Sequence, residues 1–514
     1  MQELPVGLQN FETVRKEDFL YVDKTKHLLN LVKKTGNYFL SRPRRFGKSL
    51  TLSTLEAMFK GKVELFKGLY AEEWVKEKAK NPNPVIKLDM SNLDSYETKE
   101  KLNKSLVSEL KHCAYLYKLD IAEDEESKAM FKKVIYALYE KFGSVVVLID
   151  EYDKPITDYL NNLEKAEEMR ETLSKFYIVL KGCPYLKFVI VTGVSKFSKV
   201  GILSGLNNLK DISMSEKYGD IVGYTQQELE DNFSDWIEIT AQKKSMSKQE
   251  LLDKIKKYYD GFSFNGITKV YNPFSVLNFF DEGEFYNYWY DSASPSFLAK
   301  YLQKYKIKDP KEFIQKKVSI NFTNSKEIEN ASVESFLYQA GYLTISEKKE
   351  NIIILDYPNE EVAISMTQLA LDNFYKITDY MSIGDELWEA TENSNMKKVV
   401  DIFNEALKPI PYDDYSNRNE YWYRGLFMML LKATRILAFP EVHTFDGRSD
   451  IVIPYDDFII IIEFKFAEND KEVDKKRIEG QEQVKRYAES YLNLNKQIIT
   501  AVFIANDEKR QVSL

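Results

Sequence analysis

The segment that most restricts the fold of this chain is SVVVLIDEYD at residues 144–153, where an uninterrupted apolar run ends in carboxylates. The run follows Gly143 and consists of Val, Leu and Ile, a composition typical of a strand buried on both faces of a parallel sheet. Ligands of open parallel sheets bind at the carboxyl ends of the strands. We therefore expect an α/β fold with Asp150 and Glu151 at a ligand site, although acidic residues also end strands at ordinary turns.

A phosphate-binding loop is predicted within residues 39–51, FLSRPRRFGKSLT, between a strand at 37–41 and a helix. The backbone N–H groups and the dipole of a helix N-terminus attract phosphate, and a glycine there lets the backbone approach closely. In a loop of this type the lysine reaches the β- and γ-phosphates, and the hydroxyl group that follows it ligates Mg²⁺. The residues expected to bind a nucleotide here are Arg45, Phe46, Gly47, Lys48, Ser49 and Leu50.

This loop departs from the full pattern GxxxxGK[ST], because Arg42 stands where the first glycine is expected. The arginines Arg42, Arg44 and Arg45 either bring positive charge to phosphate oxygens or contact another domain. GKS alone is a weak signal in a lysine-rich chain, but here it occurs together with the strand that ends in two carboxylates. With Asp150 as a Mg²⁺ ligand and Glu151 polarising the attacking water as general base, the combination favours nucleotide binding.

The next predicted strand, KFVIVTGVSKF at 187–197, also ends in polar residues, Thr192 and Ser195. A hydroxyl group at this place can sense the γ-phosphate or orient water, and a plain turn at Gly193 explains the same residues equally well. We include Thr192 among the expected nucleotide-binding residues. The expected Mg²⁺ ligands of this site are Ser49 and Asp150.

A second candidate site lies in GRSDIVIPYDDFIIIIEFKF at residues 447–466, which we interpret as an apolar β-hairpin. In this hairpin residue 454 pairs roughly with residue 458, and antiparallel pairing then places Asp450 opposite residues 462–463. The hairpin therefore brings acidic side chains from both strands together at the end away from its turn.

The second strand of the hairpin presents its polar chemistry on one face. Glu463 and Lys465 are two residues apart and share that face, whereas Phe464 and Phe466 point to the other face and into the core. A charged pair that ends so apolar a strand needs a partner, although an ion pair on an edge strand is the simpler alternative. Two carboxylates holding Mg²⁺, with a lysine that positions water or neutralises developing charge, suit phosphodiester hydrolysis.

Other residues are candidates for the same site. The helix after the hairpin carries Gln483 and Tyr487 at positions i and i+4, hence on one face, and that face can place Gln483 beside the metal. Glu420, before the hairpin, is an additional candidate ligand, whereas solvated strand positions explain Glu441 and His443. The expected catalytic residues of the two sites are Glu151, Asp450, Glu463, Lys465 and Gln483, and the expected metal ligands of the second site are Asp450 and Glu463.

Composition restricts the remaining functional classes. The 72 basic and 80 acidic residues give a net charge of −8, so the chain is not a uniformly basic nucleic-acid coat, although a local basic groove is compatible with this charge. Two Cys and three His residues are too few for a disulfide framework or a Cys- or His-rich metal site, which leaves oxygen ligands and Mg²⁺ or Mn²⁺. No apolar run approaches the roughly 18 residues of a membrane helix, and no signal-peptide pattern begins the chain. We therefore expect a cytoplasmic protein without membrane contact.

The secondary-structure pattern predicts a multidomain α/β chain with three domains. Residues 1–215 alternate helix and strand patterns, as in a domain with a parallel sheet. Residues 216–395 are mainly helical with strand-like pieces near 342–345 and 351–358, which we interpret as a helical lid or winged-helix-like region. Residues 396–514 return to an α/β pattern with the apolar hairpin at its centre.

Several phrases of the sequence recur in a known family. In the N-terminal part they are LPxGxxxF (4–11), YVDKT (21–25), RPRRFGKS (42–49), LIDEYDKP (148–155) and VTGVSKFS (191–198), and they are followed by VYNPFSVLNF (270–279), LYQAGYLTI (337–345) and YPNEEV (357–362). This set resembles the bacterial AAA-ATPase-like family. Members of that family commonly end in a PD-(D/E)XK nuclease-superfamily domain, and the last part of this chain resembles one.

The resemblance implies an ATP-binding P-loop NTPase domain of the additional-strand type, a helical lid and a restriction-endonuclease-like C-terminal domain. The residues that match the family's motifs are Lys48, Ser49, Asp150 and Glu151 for the ATPase, Asp450, Glu463 and Lys465 for the nuclease, and Gln483 and Tyr487 for the QxxxY motif of RecB-like members. The family also lacks the first glycine of the phosphate loop, so Arg42 is not peculiar to this chain.

From these observations we expect an ATP-binding protein, an ATPase coupled to Mg²⁺-dependent cleavage of nucleic acid, with ATP and Mg²⁺ as cofactors. One alternative is a nucleotide-switched regulatory or interaction protein whose nuclease-like domain binds without cleaving. A further alternative is an ATPase motor or loader, although the sequence identifies no arginine that would act in trans within a ring. The choice between DNA and RNA and the oligomeric state stay open.

Overall fold

The computed structural model describes residues 1–122, 124–159, 162–195, 209–293, 298, 302, 310–323, 332–410, 418–444, 447–492 and 496–514. The chain divides into two compact units, one of residues 1–297 with 312–362 and one of residues 298–311 with 363–514. The three-domain division at 215 and 395 stays a prediction, and residues 196–198 of the phrase VTGVSKFS lie outside the described residues. Within the described part of the chain, no helix has both the length and the apolar character that crossing a membrane requires.

The first unit is built on a parallel sheet with the strand order β2-β3-β4-β1-β5. The strands are β1 (Gly36–Ser41), β2 (Val85–Asp89), β3 (Val145–Asp150), β4 (Leu186–Gly193) and β5 (Leu209–Asp211). Strand β4 lies between β1 and β3, which confirms the P-loop NTPase sheet of the additional-strand type. The parallel registers align the carboxyl ends of β1 to β4 along one edge, with Asp89 opposite Asp150 and Ser41 opposite Gly193.

Helices pack against both faces of this sheet. The helices of this part of the chain are α1 (Phe11–Lys16), α2 (Thr25–Val32), α3 (Lys48–Phe59), α4 (Glu72–Lys78), α5 (Lys99–Leu116), α6 (Ser127–Phe142), α7 (Lys154–Thr157) and α8 (Leu163–Tyr177). On one face, Phe39, Val147 and Val189 join an apolar cluster with α5, α6 and α8. On the other face, the rings of Phe59 in α3 and Phe188 in β4 lie 5.2 Å apart. Because β3 is buried on both faces, its sequence is an uninterrupted apolar run up to Asp150.

The middle part of the chain is mainly helical, as predicted. Its helices are α9 (Gln226–Asn232), α10 (Ser234–Lys243), α11 (Lys248–Tyr259), α12 (Pro273–Glu282), α13 (Tyr288–Ala293) and α14 (Val333–Ala340), and its strands are β6 (Lys316–Ser319), β7 (Thr344–Lys348) and β8 (Ile352–Asp356). The strands form an antiparallel sheet in the order β6-β8-β7. Strands β7 and β8 confirm the pieces predicted near 342–345 and 351–358. The sequence does not predict β6, because KKVS is a short strand without a fully buried residue.

The second unit contains a mixed sheet with the order β13-β12-β11-β10-β9. Its strands are β9 (Phe439–Thr444), β10 (Gly447–Pro454), β11 (Phe458–Ala467), β12 (Gln497–Asn506) and β13 (Gln511–Ser513). The accompanying helices are α15 (Glu360–Ala370), which begins in the first unit, α16 (Tyr380–Glu392), α17 (Met396–Leu407), α18 (Glu420–Ala433) and α19 (Asp470–Glu489). Strands β11 and β12 pair in parallel, and the other neighbours pair antiparallel.

The two faces of this sheet belong to different apolar clusters. Ile462 and Phe464 of β11 pack into the cluster that contains α16, α17 and α18, and Phe466 packs against it. Ile461 of β11 and Val484 of α19 belong to the cluster on the opposite face. Because side chains alternate along a strand, the prediction that Phe464 and Phe466 face the core is confirmed, and the charged residues of β11 lie on the α19 side.

The register of the hairpin differs by one residue from the prediction. Pro454 pairs with Ile459 and not with residue 458, because Tyr455 and Phe458 close the turn through an N–H···O=C bond of 2.9 Å. Ile451 pairs with residue 462, and one further step of this register places Asp450 opposite residue 463. The predicted position 454–458 is therefore wrong, whereas the predicted meeting of Asp450 with residues 462–463 is confirmed.

We predict that Gly480→Ala destabilises the protein whereas Gly425→Ala does not. A Cβ at Gly480 in α19 would lie 2.4 Å from Cγ1 of Val502, so the helix would have to move away from the sheet. A Cβ at Gly425 in α18 meets nothing within 4 Å. Overpacking costs about 1–3 kcal/mol, whereas a helical Gly→Ala change stabilises by about 0.5–1 kcal/mol. Urea unfolding followed by circular dichroism should move the two midpoints in opposite directions, and equal shifts would contradict this packing.

Candidate functional site

The predicted phosphate loop forms where β1 passes into α3. Gly47 precedes α3 with a φ of 91°, in the left-handed region that favours glycine. The Nζ of Lys48 donates to the carbonyl oxygens of Arg42 at 3.0 Å and Pro43 at 2.9 Å. Burial lowers the pKa of Lys48, and the nearby Glu151 carboxylate opposes this shift. The loop thus holds a cation at the start of a helix, where phosphate is best bound.

Arg42 occupies the place of the first glycine and lies beneath the loop. Its side chain is buried, and its guanidinium donates to the carbonyl oxygens of Ser41, Ser213 and Tyr218. The guanidinium also lies over the ring of Phe264, with Cζ 4.1 Å from the centroid. Of the two roles left open for the loop arginines, this geometry supports contact with another region, because Tyr218 and Phe264 belong to the middle of the chain.

Two later residues of the loop, Arg45 and Phe46, point in different directions. Arg45 is exposed, has a φ of 67°, and lies over the ring of Phe274 with Cζ 4.7 Å from the centroid. Phe46 is buried, and its ring meets Phe262 and Phe264 edge-on at 4.9 and 5.4 Å. The side chain of Phe46 therefore anchors the loop from below, away from the surface that carries Arg45.

The carboxyl end of β3 places its two acidic residues differently. Asp150 is buried and accepts hydrogen bonds from Oγ1 of Thr192 at 2.6 Å and from the N–H of Glu151 at 3.0 Å. Thr192 is fully buried, and its hydrogen bond holds the Asp150 carboxylate in one orientation. Glu151 has a φ of 47°, a strained conformation of the kind that clusters at functional sites. Burial raises the pKa of Glu151 against the opposing charge of Lys48.

The segment after β3 is tied to the end of β4. The carboxylate of Asp153 accepts hydrogen bonds from the N–H of Ser195 at 2.8 Å, from its Oγ at 2.5 Å, and from the N–H of Val194 at 3.3 Å. Ser195 therefore fits the turn interpretation better than a role in sensing phosphate. The sequence analysis missed Asp153, which sits in the same DEYD phrase as the two residues that it singled out.

A cleft of about 330 Å³ opens beside the loop. The polar part of its lining includes Arg44, Lys48, Ser49, Asp89, Ser91, Glu151 and Lys154, and the apolar part of the lining includes Pro5, Leu8, Leu50, Tyr224, Pro273, Phe274 and Leu277. A smaller cavity of about 60 Å³ shares Pro5, Gly47, Leu50, Tyr224 and Pro273 with this cleft. The sequence analysis missed Asp89, although it ends the apolar strand VIKLD in the same way that Asp150 ends β3.

In the second unit the hairpin brings Asp450, Glu463 and Lys465 together, with exposed fractions of only 6%, 4% and 9%. Asp450 accepts a hydrogen bond from the N–H of Phe464 at 2.8 Å and pairs with the guanidinium of Arg424. The Nζ of Lys465 donates to Oε1 of Glu463 at 2.8 Å and to the carbonyl oxygen of Phe464 at 2.9 Å. We call these three residues the nuclease centre.

Glu463 is the least satisfied member of the nuclease centre. Burial raises its pKa to about 7, repulsion by Asp450 adds to the shift, and the hydrogen bond from Lys465 opposes it. Among the described residues, no group hydrogen-bonds to the buried Oε2 of Glu463. A buried carboxylate oxygen without a partner is costly, so this atom is a place where a proton or a cation would be stabilising.

The additional candidates lie at different distances from this centre. Oε2 of Glu420 is 3.9 Å from Nζ of Lys465, and burial raises the pKa of Glu420. Glu441 accepts a hydrogen bond of 2.7 Å from Arg424, and His443 is exposed. The sequence analysis missed Arg424, because the pattern of α18 does not distinguish it from an ordinary surface arginine.

Helix α19 covers the face that carries the nuclease centre. Its Gly480 lies against Lys465, since a Cβ there would be 3.3 Å from Cγ of that lysine. Gln483 follows three residues later and so shares this face, and within the described residues its buried Oε1 has no hydrogen-bond partner. Tyr487 is buried against Gly447 at the start of β10. The structure thus places Gln483 on the side of the sheet that bears Lys465.

The donor atoms of the nuclease centre fit magnesium. In the part of the chain that the structure describes, no three His, Cys, Asp or Glu side chains are grouped to hold a metal ion. Mg²⁺ does not need such a cage, because it commonly uses one or two carboxylates together with water and substrate phosphate. The convergence of Asp450 with Glu463 and the unpartnered Oε2 match this requirement. A structural Zn²⁺ site, with four N or S ligands, does not match it.

The first unit therefore has the sheet of a P-loop NTPase, and the second has a restriction-endonuclease-like sheet. Comparison with known proteins supports both fold assignments. Residues 5–203 match the family model described as a predicted AAA-ATPase, and residues 418–513 match the PD-(D/E)XK nuclease superfamily. A relative from Azotobacter chroococcum mcd 1, named "Uncharacterized protein in vnfD 5'region", is 32% identical over 486 residues, or 91% of this chain and 90% of the relative. The chain belongs to the AAA-ATPase-like family with a C-terminal PD-(D/E)XK nuclease-superfamily domain, and the resemblance seen in the sequence is confirmed.

We predict that Glu463→Gln raises the melting temperature of the metal-free protein at pH 8. The pKa of Glu463 is raised from 4.5 to about 7, so the native state holds this proton more tightly than the unfolded chain. Stability is therefore lost as the pH rises from about 4.5 through about 7, and glutamine removes that loss. Differential scanning fluorimetry in EDTA measures the change.

The control for this experiment is Glu441→Gln, which removes a partly exposed carboxylate that is paired with Arg424. This variant should melt at or below the temperature of the wild type in EDTA. Added Mg²⁺ should raise the melting temperature of the wild type and of Glu441→Gln, but not that of Glu463→Gln. Equal melting of both variants in EDTA would contradict the electrostatic description of the nuclease centre.

Proposed function

We propose that this protein is an ATPase coupled to Mg²⁺-dependent cleavage of phosphodiester bonds in nucleic acid. The observation that carries the proposal is the presence, in one chain, of two separate buried sites whose side chains suit phosphate chemistry. One is the cleft beside the phosphate loop, and the other is the nuclease centre of Asp450, Glu463 and Lys465. Membership of a family that joins an AAA-ATPase-like domain to a nuclease-superfamily domain supports both assignments.

The polar and the apolar residues that line the cleft suit the two chemically different parts of ATP. The polar part, with Lys48, Arg44 and the start of α3, offers cations and main-chain N–H groups to the triphosphate. The apolar part, with Leu50, Tyr224 and Pro273 among its residues, offers flat apolar surface to the base. Nucleotide binding therefore uses the loop for the phosphates and the apolar part for the nucleoside.

For ATP hydrolysis, Glu151 is the proposed general base. It lines the cleft, and its burial-raised pKa suits a group that takes a proton from water. Ser49 and Asp150 would hold Mg²⁺, which when bound neutralises charge on the phosphate oxygens. Thr192 fixes the direction of the Asp150 carboxylate through its 2.6 Å hydrogen bond.

For phosphodiester cleavage, Asp450 and Glu463 would hold Mg²⁺, which when bound polarises the phosphoryl oxygen and acidifies water. Lys465 is hydrogen-bonded to Glu463 and so lies where it can neutralise charge on the scissile phosphate or position the attacking water. The buried Oε1 of Gln483 is an acceptor on the same side of the sheet and can orient that water.

We predict that Glu151→Gln lowers the rate of ATP hydrolysis by about 10²–10⁴-fold, the usual contribution of a general base, and leaves ATP binding intact. Lys48→Ala should weaken ATP binding at least about tenfold, because it removes charge-assisted hydrogen bonds. Lys60→Ala is the matched control, since Lys60 follows α3 and pairs with Glu56 outside the cleft. Phosphate release and binding of a fluorescent ATP analogue measure the effects, and hydrolysis unaffected by Glu151→Gln would refute its role.

One observation favours a second candidate function, a nucleotide-switched interaction protein that does not cleave. Both carboxylates of the nuclease centre already have cationic partners, Arg424 for Asp450 and Lys465 for Glu463. If these pairs persist when nucleic acid is bound, the centre has too little free negative charge for Mg²⁺ and would serve binding alone. Cleavage assays separate the two functions.

We predict that the purified protein cleaves nucleic acid with Mg²⁺ or Mn²⁺ and that Glu463→Ala abolishes cleavage while ATP binding is retained. Single- and double-stranded DNA and RNA should be offered, with and without ATP, because the sequence and the fold leave the substrate open. The control is Asp456→Asn, an exposed residue in the turn of the same hairpin. Absence of cleavage on every substrate, in protein that binds ATP, would favour the interaction function.

A further inference from the structure

Glu361 is a fully buried carboxylate near the start of α15 that the proposed chemistry does not use. Its Oε1 accepts a hydrogen bond from the N–H of Trp289 at 2.7 Å. The Oγ of Ser275 lies 2.8 Å from Oε2 and 3.1 Å from Oε1 of the same carboxylate. A buried carboxylate is costly unless hydrogen-bond donors hold it. Trp289 and Ser275 supply such donors to Glu361 and fix its position. Both donors lead back to the nucleotide cleft.

The first connection runs through Trp289 to the phosphate loop. The indole Nε1 of Trp289 donates to the carbonyl oxygen of Arg44 at 3.1 Å. Gly341, with a φ of 95°, packs into the same place: a Cβ there would lie 2.8 Å from Cβ of Pro43 and 3.0 Å from Cζ2 of Trp289. The main chain of the loop therefore rests directly on Trp289, and a shift of the loop has to move this side chain.

The second connection runs through Ser275 to the apolar wall of the cleft. Ser275 lies in the first turn of α12, where its N–H donates to Oδ1 of Asn272 at 3.1 Å. Phe274 and Leu277 of the same helix line the cleft, and Phe274 lies under the guanidinium of Arg45. A ligand that contacts this wall thus acts on the helix that holds Ser275, a hydrogen-bond donor to Glu361.

Helix α15 carries Glu361 at one end and belongs to the second unit at the other. Its residues up to Val362 are counted with the first unit, and the following ones with the second. In the second unit, Nε2 of Gln368 donates to the carbonyl oxygen of Ala433 in α18 at 2.9 Å. Helix α18 also carries Arg424, the partner of Asp450. One helix therefore carries both Glu361 and the residue that contacts α18.

We propose that Glu361 is a positioning residue through which occupation of the nucleotide cleft is transmitted to α15 and so to the unit that holds the nuclease centre. This inference rests on the proposed ATP binding and adds the residue and the helix that carry the signal. When a nucleotide binds, movement of the loop changes the hydrogen bond from Trp289 to the Glu361 carboxylate. Movement of the cleft wall changes the hydrogen bond from Ser275 to the same carboxylate. A coupling of this kind is a free-energy difference between two states of α15 and can be measured as such.

The test is amide hydrogen exchange of residues 363–370 in the full chain, with and without a non-hydrolysable ATP analogue. In the wild type, the analogue should change the exchange rates of these amides at least about fivefold, the lower end of usual coupling strengths. Glu361→Gln keeps the shape and one acceptor oxygen but loses the charge, and this variant should reduce the change to less than about twofold. Trp289→Phe, which loses the donor to Arg44, should do the same.

The matched control is Glu360→Gln, one residue earlier, where the carboxylate pairs with Lys257 and lies partly exposed. This variant should keep the wild-type response. A response that survives in Glu361→Gln, or a wild type that binds the analogue without any change in α15, overturns the inference and leaves ATP binding standing. If the wild type does not bind the analogue at all, the proposed function fails and the inference falls with it. Trp289→Phe carries the test if Glu361→Gln does not fold.

Discussion

Both sites depend on one constraint: a carboxylate at the end of an apolar strand is buried, and hydrogen-bond donors must hold it in place of water. Asp150 at the end of β3 is held by Thr192, and Asp450 in β10 is held by Arg424 and a main-chain N–H group. Among the residues that the structure describes, Glu463 has a hydrogen-bond partner on only one of its oxygens. Its pKa is raised because burial and repulsion by Asp450 outweigh the hydrogen bond from Lys465, and such perturbed groups mark places where a protein does chemistry.

The parts of the fold that the sequence predicts correctly are those that local physics determines. The apolar runs in β3 and β11 have no solvated face, so only buried strands fit them, and Asp150 and Glu463 come directly after those runs. The meeting of Asp450 with Glu463 also survives the error of one residue in the hairpin turn, because the predicted range was two residues wide. Strand β6 is not predicted, because it is short, contains two lysines and has no fully buried residue that would give an apolar alternation.

Long-range partners account for what the sequence cannot show. Arg42 stands in a loop of cations, where phosphate is the natural partner, yet its two Nη groups donate to the carbonyl oxygens of Ser213 and Tyr218, far along the chain. Thr192 ends a strand where a hydroxyl group could face a ligand, and it faces Asp150 only because β4 lies beside β3. Which partner such a side chain contacts depends on strand order and packing, and a local sequence pattern does not contain that information.

The two sites differ in how ready they are for a ligand. At the cleft, Arg45 and Glu151 hold left-handed backbone conformations without being glycine, and such strain persists only where the surrounding core determines the backbone. The backbone of this site is therefore fixed by the residues packed around it. In the nuclease centre, cations already occupy both carboxylates. Removing one partner from a buried pair is costly unless another cation replaces it, so Mg²⁺ held by both carboxylates would compete with Arg424 and Lys465. In the proposed function, ATP would therefore act on these ion pairs, because they hold the carboxylates that the metal would need.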